Sequence, residues 1–477
     1  MTHRLSFPGS AWEHTTEEAP PPELARFGSF ERPAAGCEAE PRGQGIPRRS
    51  LGTRKRDTRS VPYVACFPSL APHAIAAFVC ALLLLPPAAR ADDWRQFRGT
   101  ATNGIAAETL LPTHWSETEN VAWKTDLPGR GPSSPIVVAG HVIVTCSSGT
   151  PEDRLQVLSI SAASGKLEWR REFWATGRTT VQPTTAVAAP TPASDGKRVF
   201  ALFSSGDLVC LDLDGNLLWL HGLQVEHPAA GNDVGMASSP VVVGQTVIVQ
   251  TESQGDSFAA GFDTHSGARR WQIARPRLGN WSSPIVLHGK SPSEDLVLLQ
   301  STTGVSAHDP STGEERWSHK IVCNDITSAA AEGDNVFVPA TGIQALRLDS
   351  RQSTVLPAWN APKLNFGAAS PVAHNGRIYT INRAGVLNCG DTASGQVLWQ
   401  LRLKGAIWAS PVLVGDRLYV VNRDGLGQVV RLGEKPEVIG DGSLGEEVLS
   451  SPAVADGGLY IRGKDHLWKI AGRDGNP

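Results

Sequence analysis

Residues 391–400, "DTASGQVLWQ", read as a tight turn running into a strand, and the chain writes this stretch five times. Other copies are "DPSTGEERWS" from Asp309, "DTHSGARRWQ" from Asp263, "DLDGNLLW" from Asp212 and "SAASGKLEW" from Ser161. In each, a glycine stands four residues before a tryptophan: Gly395 before Trp399, Gly313 before Trp317, Gly267 before Trp271, Gly215 before Trp219 and Gly165 before Trp169. An Asp opening such a turn accepts bonds from the turn's amides, and the Gly supplies the left-handed residue. The Trp then falls on a strand, where it can bury a large surface between neighbouring units. Self-similarity of this kind decides the architecture before any question of chemistry.

A second landmark gives the period. Ser-Pro or Thr-Pro opens an apolar run at Pro135, Pro192, Pro240, Pro284, Pro371, Pro411 and Pro452, and "TSAAA" puts Ala329 in the one slot without Pro. The steps are 57, 48, 44, 45, 42, 40 and 41 residues, the length of a four-stranded propeller blade. Within a unit, turn residues such as Asn375-Gly376 separate short β-rich runs, with similar turns at Ala139-Gly140, Asp195-Gly196, Glu332-Gly333 and Asp456-Gly457. Asn-Gly favours a hairpin because both turn residues take positive φ. Pro at the first residue of a strand costs no ladder bond, which suits the opening strand of each unit.

The expected fold is therefore all-β: an eight-bladed propeller of four-stranded antiparallel blades over residues 120–472. The last unit, from Pro452, has Trp468 on its third strand and no Trp on a fourth. "NVAWKTDLPG", carrying Trp123, supplies that strand from the N-terminal side, so the two ends of the ring share a blade and pair edges otherwise left open.

Residues 92–119 read as an N-terminal strap, with Trp94, Phe97 and Arg98 tying it to the ring, and 473–477 as a tail. Ahead of it, "AIAAFVCALLLL" (74–85), Pro86-Pro87 and the small-residue site Ala89-Arg90-Ala91 follow a basic stretch from Arg48 to Arg59. This order makes 74–91 a secretory signal peptide cleaved before Asp92, too short to span a bilayer comfortably. Residues 1–73 are rich in Pro, Glu and Arg without periodicity, as expected of a disordered or mis-started extension. Arg48-Arg49 lies far from the apolar segment, which favours the Sec route over the twin-arginine route.

Residues 92–477 hold 33 basic and 39 acidic side chains, a formal charge of −6, and no basic run, so nucleic-acid binding has no support. Cys146, Cys210, Cys323 and Cys389 are widely spaced, and Cys210 and Cys389 take matching strand positions, as small core fillers do. No C-x-x-C-H, H-E-x-x-H or phosphate-loop motif occurs, and no histidine pair has ligand spacing.

"DLVCLDLDGNLLW", "GFDTHSGARRW" and "SAHDPSTGEERW" resemble the tryptophan-docking repeats of pyrroloquinoline-quinone-type β-propellers, a family that includes quinoprotein dehydrogenases and BamB-like envelope assembly factors. "DDWRQFRGTATNG" (92–104) and "WKTDLPGRGPSSP" resemble the start of an exported subgroup abundant in planctomycetes. The resemblance implies an exported, monomeric binding or scaffold module with an envelope protein or small ligand as partner, and it implies a quinone-dependent dehydrogenase as the alternative. That alternative needs a calcium site of Glu, Asn and Asp oxygens, a catalytic Asp and an Arg beside the quinone. Asn324 and Asp325 form the one acid–amide pair weighed for it, against a plain turn role. The adjacent Cys pair of many such dehydrogenases is absent. No cofactor is expected on the scaffold reading.

Candidate binding residues come from the loops entering each innermost strand, which should rim the central channel. Trp281 and Trp408 stand three residues before the opening Pro, with Phe366 nearby, whereas Ala189, Ala237, Ala368 and Leu449 hold matching or adjacent slots. Rim aromatics can stack on a flat or apolar ligand or pack between blades. Asn382, Arg383, Asn422 and Arg423 sit at equivalent turns of adjacent units as a candidate anion or carboxylate clamp, or as solvated turn residues. If 74–91 is removed at Ala91, the exported protein begins at Asp92 and Ala91→Arg blocks its processing. N-terminal sequencing of the periplasmic protein checks this, and recovery of residues 1–91 on it would contradict the assignment.

Overall fold

The computed structural model describes residues 93–107, 109–349 and 354–472. The extension 1–73, the signal segment 74–91 and the tail 473–477 lie outside the described residues. Eight antiparallel sheets follow one another along the chain, each four-stranded apart from one that gains a fifth strand. Their innermost strands are Ile136–Val138 in blade 1, Ala193–Ser194 in blade 2, Val241–Val243 in blade 3 and Ile285–Leu287 in blade 4. Ala330–Glu332, Val372–His374, Val412–Val414 and Ala453–Ala455 open blades 5 to 8. In blade 8 the outermost strand is Val121–Asp126, antiparallel to His466–Ile470 with Lys124 opposite Trp468. The short helix Leu223–Glu226 follows blade 2.

The repeated Ser or Thr before each Pro explains how the blades are held in a circle. The amide of Ser134 donates to the hydroxyl of Thr191 at 2.9 Å, and that of Thr191 to Ser239 at 3.0 Å. Ser239 donates in the same way to Ser283, Ser283 to Ser328, Ser328 to Ser370 and Ser370 to Ser410, at 2.9 to 3.1 Å. Ser410 donates to Ser451 and Ser451 back to Ser134, both at 2.9 Å, which closes the belt. Pro after the hydroxyl residue biases its backbone to the extended region, which fixes the direction of amide and side chain. Blade 5, with Ala329 in the Pro slot, keeps both of its belt bonds; the hydroxyl is the constant element.

At the outer edge, the repeated turn is the dock for the preceding blade's tryptophan. The indole N–H of Trp169 donates to Leu213 O at 2.7 Å, Trp219 to Thr264 O at 3.4 Å and Trp271 to Pro310 O at 2.9 Å. Trp359 and Trp399 reach Thr392 O and Gly433 O at 3.0 and 2.8 Å. Each of the first four rings lies on the turn glycine ahead: a Cβ on Gly215 would stand 2.7 Å from the Trp169 ring, and one on Gly395 2.5 Å from Trp359. Glycine is required there both by its positive φ and by this approach. Directly across the ladder from the Trp sits a small residue: Ser159, Cys210, Gly261, Ala307, Ala345 or Cys389. Cys210 and Cys389 are thus the fillers that the sequence suggests, and burial pushes their thiols up to about 12 and about 11.

In the turns, the Ser266 amide first, and then the Arg270 guanidinium, hold the Asp263 carboxyl well below the usual carboxylate range. Positive φ at both residues occurs at Ala139-Gly140, Asn375-Gly376 and Asp456-Gly457. Asp195-Gly196 and Glu332-Gly333 differ, with only the Gly left-handed. At the former, Asp195 instead caps the loop by accepting from the amides of Lys197 and Arg198.

The strap does more than tie an end. Trp94 pairs with Val137, Arg95 O accepts from Ser194 N, Gln96 Oε1 from Val242 N and Thr102 Oγ1 from Val286 N. Arg98 donates to the carbonyls of Ala329 and Pro371, and Ile105–Ala106 adds a parallel strand to Val412–Val414. Residues 94–106 therefore engage the innermost strands, or the residues that open them, of seven consecutive blades and plug the channel. Further along, Trp115 fills a second gap. Blade 7 has Gly440 where the other blades carry Trp, and Trp115 lies on Gly427 and Gly442 instead, 5 % exposed.

Trp123, 8 % exposed, docks on Gly165 and donates to Ala162 O at 3.1 Å, joining blade 8 to blade 1. Trp123→Ala is expected to cost about 3–5 kcal/mol, as for other buried aromatic truncations. Denaturant unfolding measures it, and an unchanged midpoint would show that this strand does not hold the ring shut.

Candidate functional site

The eight positions three residues before the strand-opening slot all line one cavity of about 220 Å³ at the centre of the ring: Pro132, Ala189, Ala237, Trp281, Ile326, Ala368, Trp408 and Leu449. Beneath them lie the belt residues, and Phe97 of the plug forms the floor. Along each blade the order is rim, belt, plug, so this cavity lies on the rim side of the plug.

The two rim tryptophans differ. Trp281 is pinned, its indole donating to Gly235 O at 2.7 Å and its amide to Asp325 O at 2.6 Å. Trp408 is 49 % exposed and makes no hydrogen bond through its indole among the described residues; Ile326 beside the same cavity is 42 % exposed. Phe366 stands apart, packing against the cluster of Phe337, Leu364 and Ala373 between blades 5 and 6. Ile326 escaped the sequence reading because its blade lacks the marker Pro.

Asn382 and Asn422 hold their turns. Asn382 Oδ1 accepts from the amides of Ala384 and Val386, and Asn422 Oδ1 from those of Asp424 and Leu426. Arg383 is exposed, whereas Arg423 binds Glu447 at 2.6 Å beside a different cavity. The four residues are thus divided between two turns, and only Arg423 borders a cavity described here. Asn324 Oδ1 caps the amides of Ile326 and Thr327, and Asp325 is half-buried with its carbonyl turned to Trp281 and Ser282. Two wholly buried acids, Asp207 and Glu252, went unmarked in the sequence; Glu252, between blades 3 and 4, lies 2.7 Å from Arg275, and burial pushes it up to about 7.

A family model described as outer membrane protein assembly factor BamB matches residues 113–234, 230–341 and 340–435. The chain belongs to that family. Among curated relatives, BamB of Yersinia pestis is 26 % identical over 253 residues, 49 % of this chain and 61 % of that protein, so the match spans less than two thirds of the relative. Among solved structures, BamB from Moraxella catarrhalis superposes with TM-score 0.55 and 18 % identity, over 74 % of this chain and 98 % of that one. Quinohemoprotein alcohol dehydrogenase from Comamonas testosteroni gives 0.56 and 12 %, over 81 % and 82 %. At these identities the likeness establishes the propeller alone, and the BamB family shares it with dehydrogenases. Among the described residues no helix is long and apolar enough to cross a membrane.

The rim geometry predicts divergent mutants. Trp408→Ala should leave the melting temperature unchanged, whereas Trp281→Ala should lower stability by about 1–3 kcal/mol through the lost packing and the unpaired Gly235 carbonyl. Thermal and denaturant unfolding of both variants decide it, and equal losses would contradict the distinction.

Proposed function

We propose that the chain acts in the cell envelope as an exported, non-enzymatic, monomeric protein-binding scaffold of the BamB type, presenting the channel mouth to its partner. The observation that carries this reading is the mouth itself. A rigid ring holds Trp408 and Ile326 exposed over a blind, plugged cavity, and an exposed aromatic on a fixed frame is the usual anchor of a protein interface. Membership of the BamB family supports a protein rather than a metabolite as the partner, and the signal segment 74–91 supports export.

The quinone reading finds less support here. The lining of the central cavity is made of Ser and Thr hydroxyls, Pro, Ala, aliphatic and aromatic side chains, with no carboxylate to ligate calcium. Asp325 and Asn324 do not fit such a site, since Asn324 is committed to its own turn.

A photo-crosslinking amino acid placed at position 408 should capture an envelope protein in the native host, while the same group at exposed position 218 on an outer strand should not. Trp408→Ala should weaken binding of the captured protein by about 1–3 kcal/mol. Dehydrogenase turnover with added quinone and calcium, lost in Asp325→Asn, would overturn the scaffold in favour of an enzyme.

A further inference from the structure

Arg462, at the end of the strand Gly458–Arg462 in blade 8, is 1 % exposed and has no carboxylate partner among the described residues. Its Nη1 donates to the carbonyls of Ser133 and Thr145, at 3.3 and 2.6 Å, and to the Ser133 hydroxyl. Nη2 donates to Cys146 Sγ at 3.3 Å, and Nε has no partner. Dipoles of neutral groups orient a guanidinium but do not cancel its charge, and a buried cation without a counter-ion is costly. Burial accordingly lowers the Arg462 pKa.

Arg98 is the other buried arginine without an acid, and it has a local explanation. It sits inside the plug and bridges the carbonyls of Ala329, Pro371 and Asn103. Arg462 instead borders a cavity of about 590 Å³ where blades 7, 8 and 1 meet. Arg130, Arg423 and Lys464 line the same cavity, against the single acid Glu447. Two of these cations already have acids: Arg423 binds Glu447 at 2.6 Å, and Arg130 binds Glu152. Arg462 and Lys464 have none among the described residues, so the cavity keeps a positive surplus in a ring whose residues 92–477 are net acidic.

The cavity adjoins the channel mouth, since Pro132, Thr184, Thr185 and Leu449 line both. A ligand entering here meets cations at one end and, one blade further round from Leu449, the exposed ring of Trp408 at the other. We propose that this cavity is an acidic-peptide subsite: a side-chain or terminal carboxylate seats against the exposed Lys464, attracted as well by the uncancelled Arg462 charge buried in the cavity wall, while a neighbouring apolar side chain lies in the channel mouth. An ammonium group binds a carboxylate through short, charge-assisted bonds, and the buried Arg462 charge, poorly screened in the cavity wall, adds attraction without direct contact. The subsite rests on the scaffold reading above and adds the charge of the segment it takes.

The test uses the purified chain and a fluorescently labelled peptide, acetyl-Ala-Leu-Asp-Glu-Leu-Ala-amide, beside its Asn-Gln twin and inorganic phosphate. The acidic peptide should bind about tenfold or more tightly than the amide twin, as charge-assisted contacts imply. Lys464→Glu, an exposed change, should abolish that preference without altering the melting temperature. Arg462→Gln, which removes the buried charge, should reduce the preference, and where it fails to fold Lys464→Glu alone carries the result. Equal affinity for both peptides, a preference untouched by Lys464→Glu, or binding of phosphate with no peptide discrimination would each overturn the subsite. Crosslinking at position 408 that persists alongside such a failure would leave the scaffold standing and remove only its acidic pocket.

Discussion

A ring of repeats must solve one problem that a single sheet does not: the first and last units have to meet in register. Here the closed belt of eight amide-to-hydroxyl bonds does this at the narrowest radius, where small errors in angle between blades would accumulate. Each bond is worth only about 0.5–1.5 kcal/mol net, but an amide left unpaired in so dry a place costs more. A ring with one blade too many or too few would strain or orphan its members. The belt therefore joins every blade to the next and the last to the first, and it does so with backbone amides that the short inner strands would otherwise leave bare.

The outer radius uses a different contact for the same purpose. At most interfaces a docked tryptophan spans from one blade to the turn of the next and donates to a carbonyl there, so those interfaces carry both apolar area and one directional bond. Where the repeat fails, residues from before the ring replace the missing part. Trp123 completes blade 8, Trp115 stands in for the absent tryptophan of blade 7, and residues 94–106 occupy the channel. Those segments are local in sequence but contact nearly the whole circumference, so closure and plugging are coupled: the ring cannot open between blades 7 and 1 without losing both.

How much of this was legible follows from what each signal depends on. The blade count, the shared blade and the rim slots were legible because they repeat at a fixed spacing, and a periodic position means the same geometry each time. Trp359 was missed because its blade lacks the Asp-x-x-Ser-Gly turn that marked the others, although its ring docks on Gly395 as they do. Trp115 could not be found by period at all, since it reaches blade 7 from some 300 residues away. Phe366 was grouped with the rim by nearness in sequence, but it lies two residues short of the rim slot, enough to turn it into the interface between blades 5 and 6. Arg462 gave no sign because nothing in "GLYIRGKD" shows that its carboxylate is missing; that is a property of neighbours brought in from blade 1.

The same distinction separates scaffold from site. Repeated features set the frame, and they are symmetric; a binding surface needs the symmetry broken. The rim is aliphatic or small in most blades and aromatic at two, one pinned and one exposed, while cations line the neighbouring cavity where blades 7, 8 and 1 meet and not the central one. This junction is also where the chain closes, with Val121–Asp126 completing blade 8. The cations that line the proposed subsite, Arg130, Arg423 and Lys464, lie next to that closure, so the place where the ring is joined is also a place where its symmetry is broken.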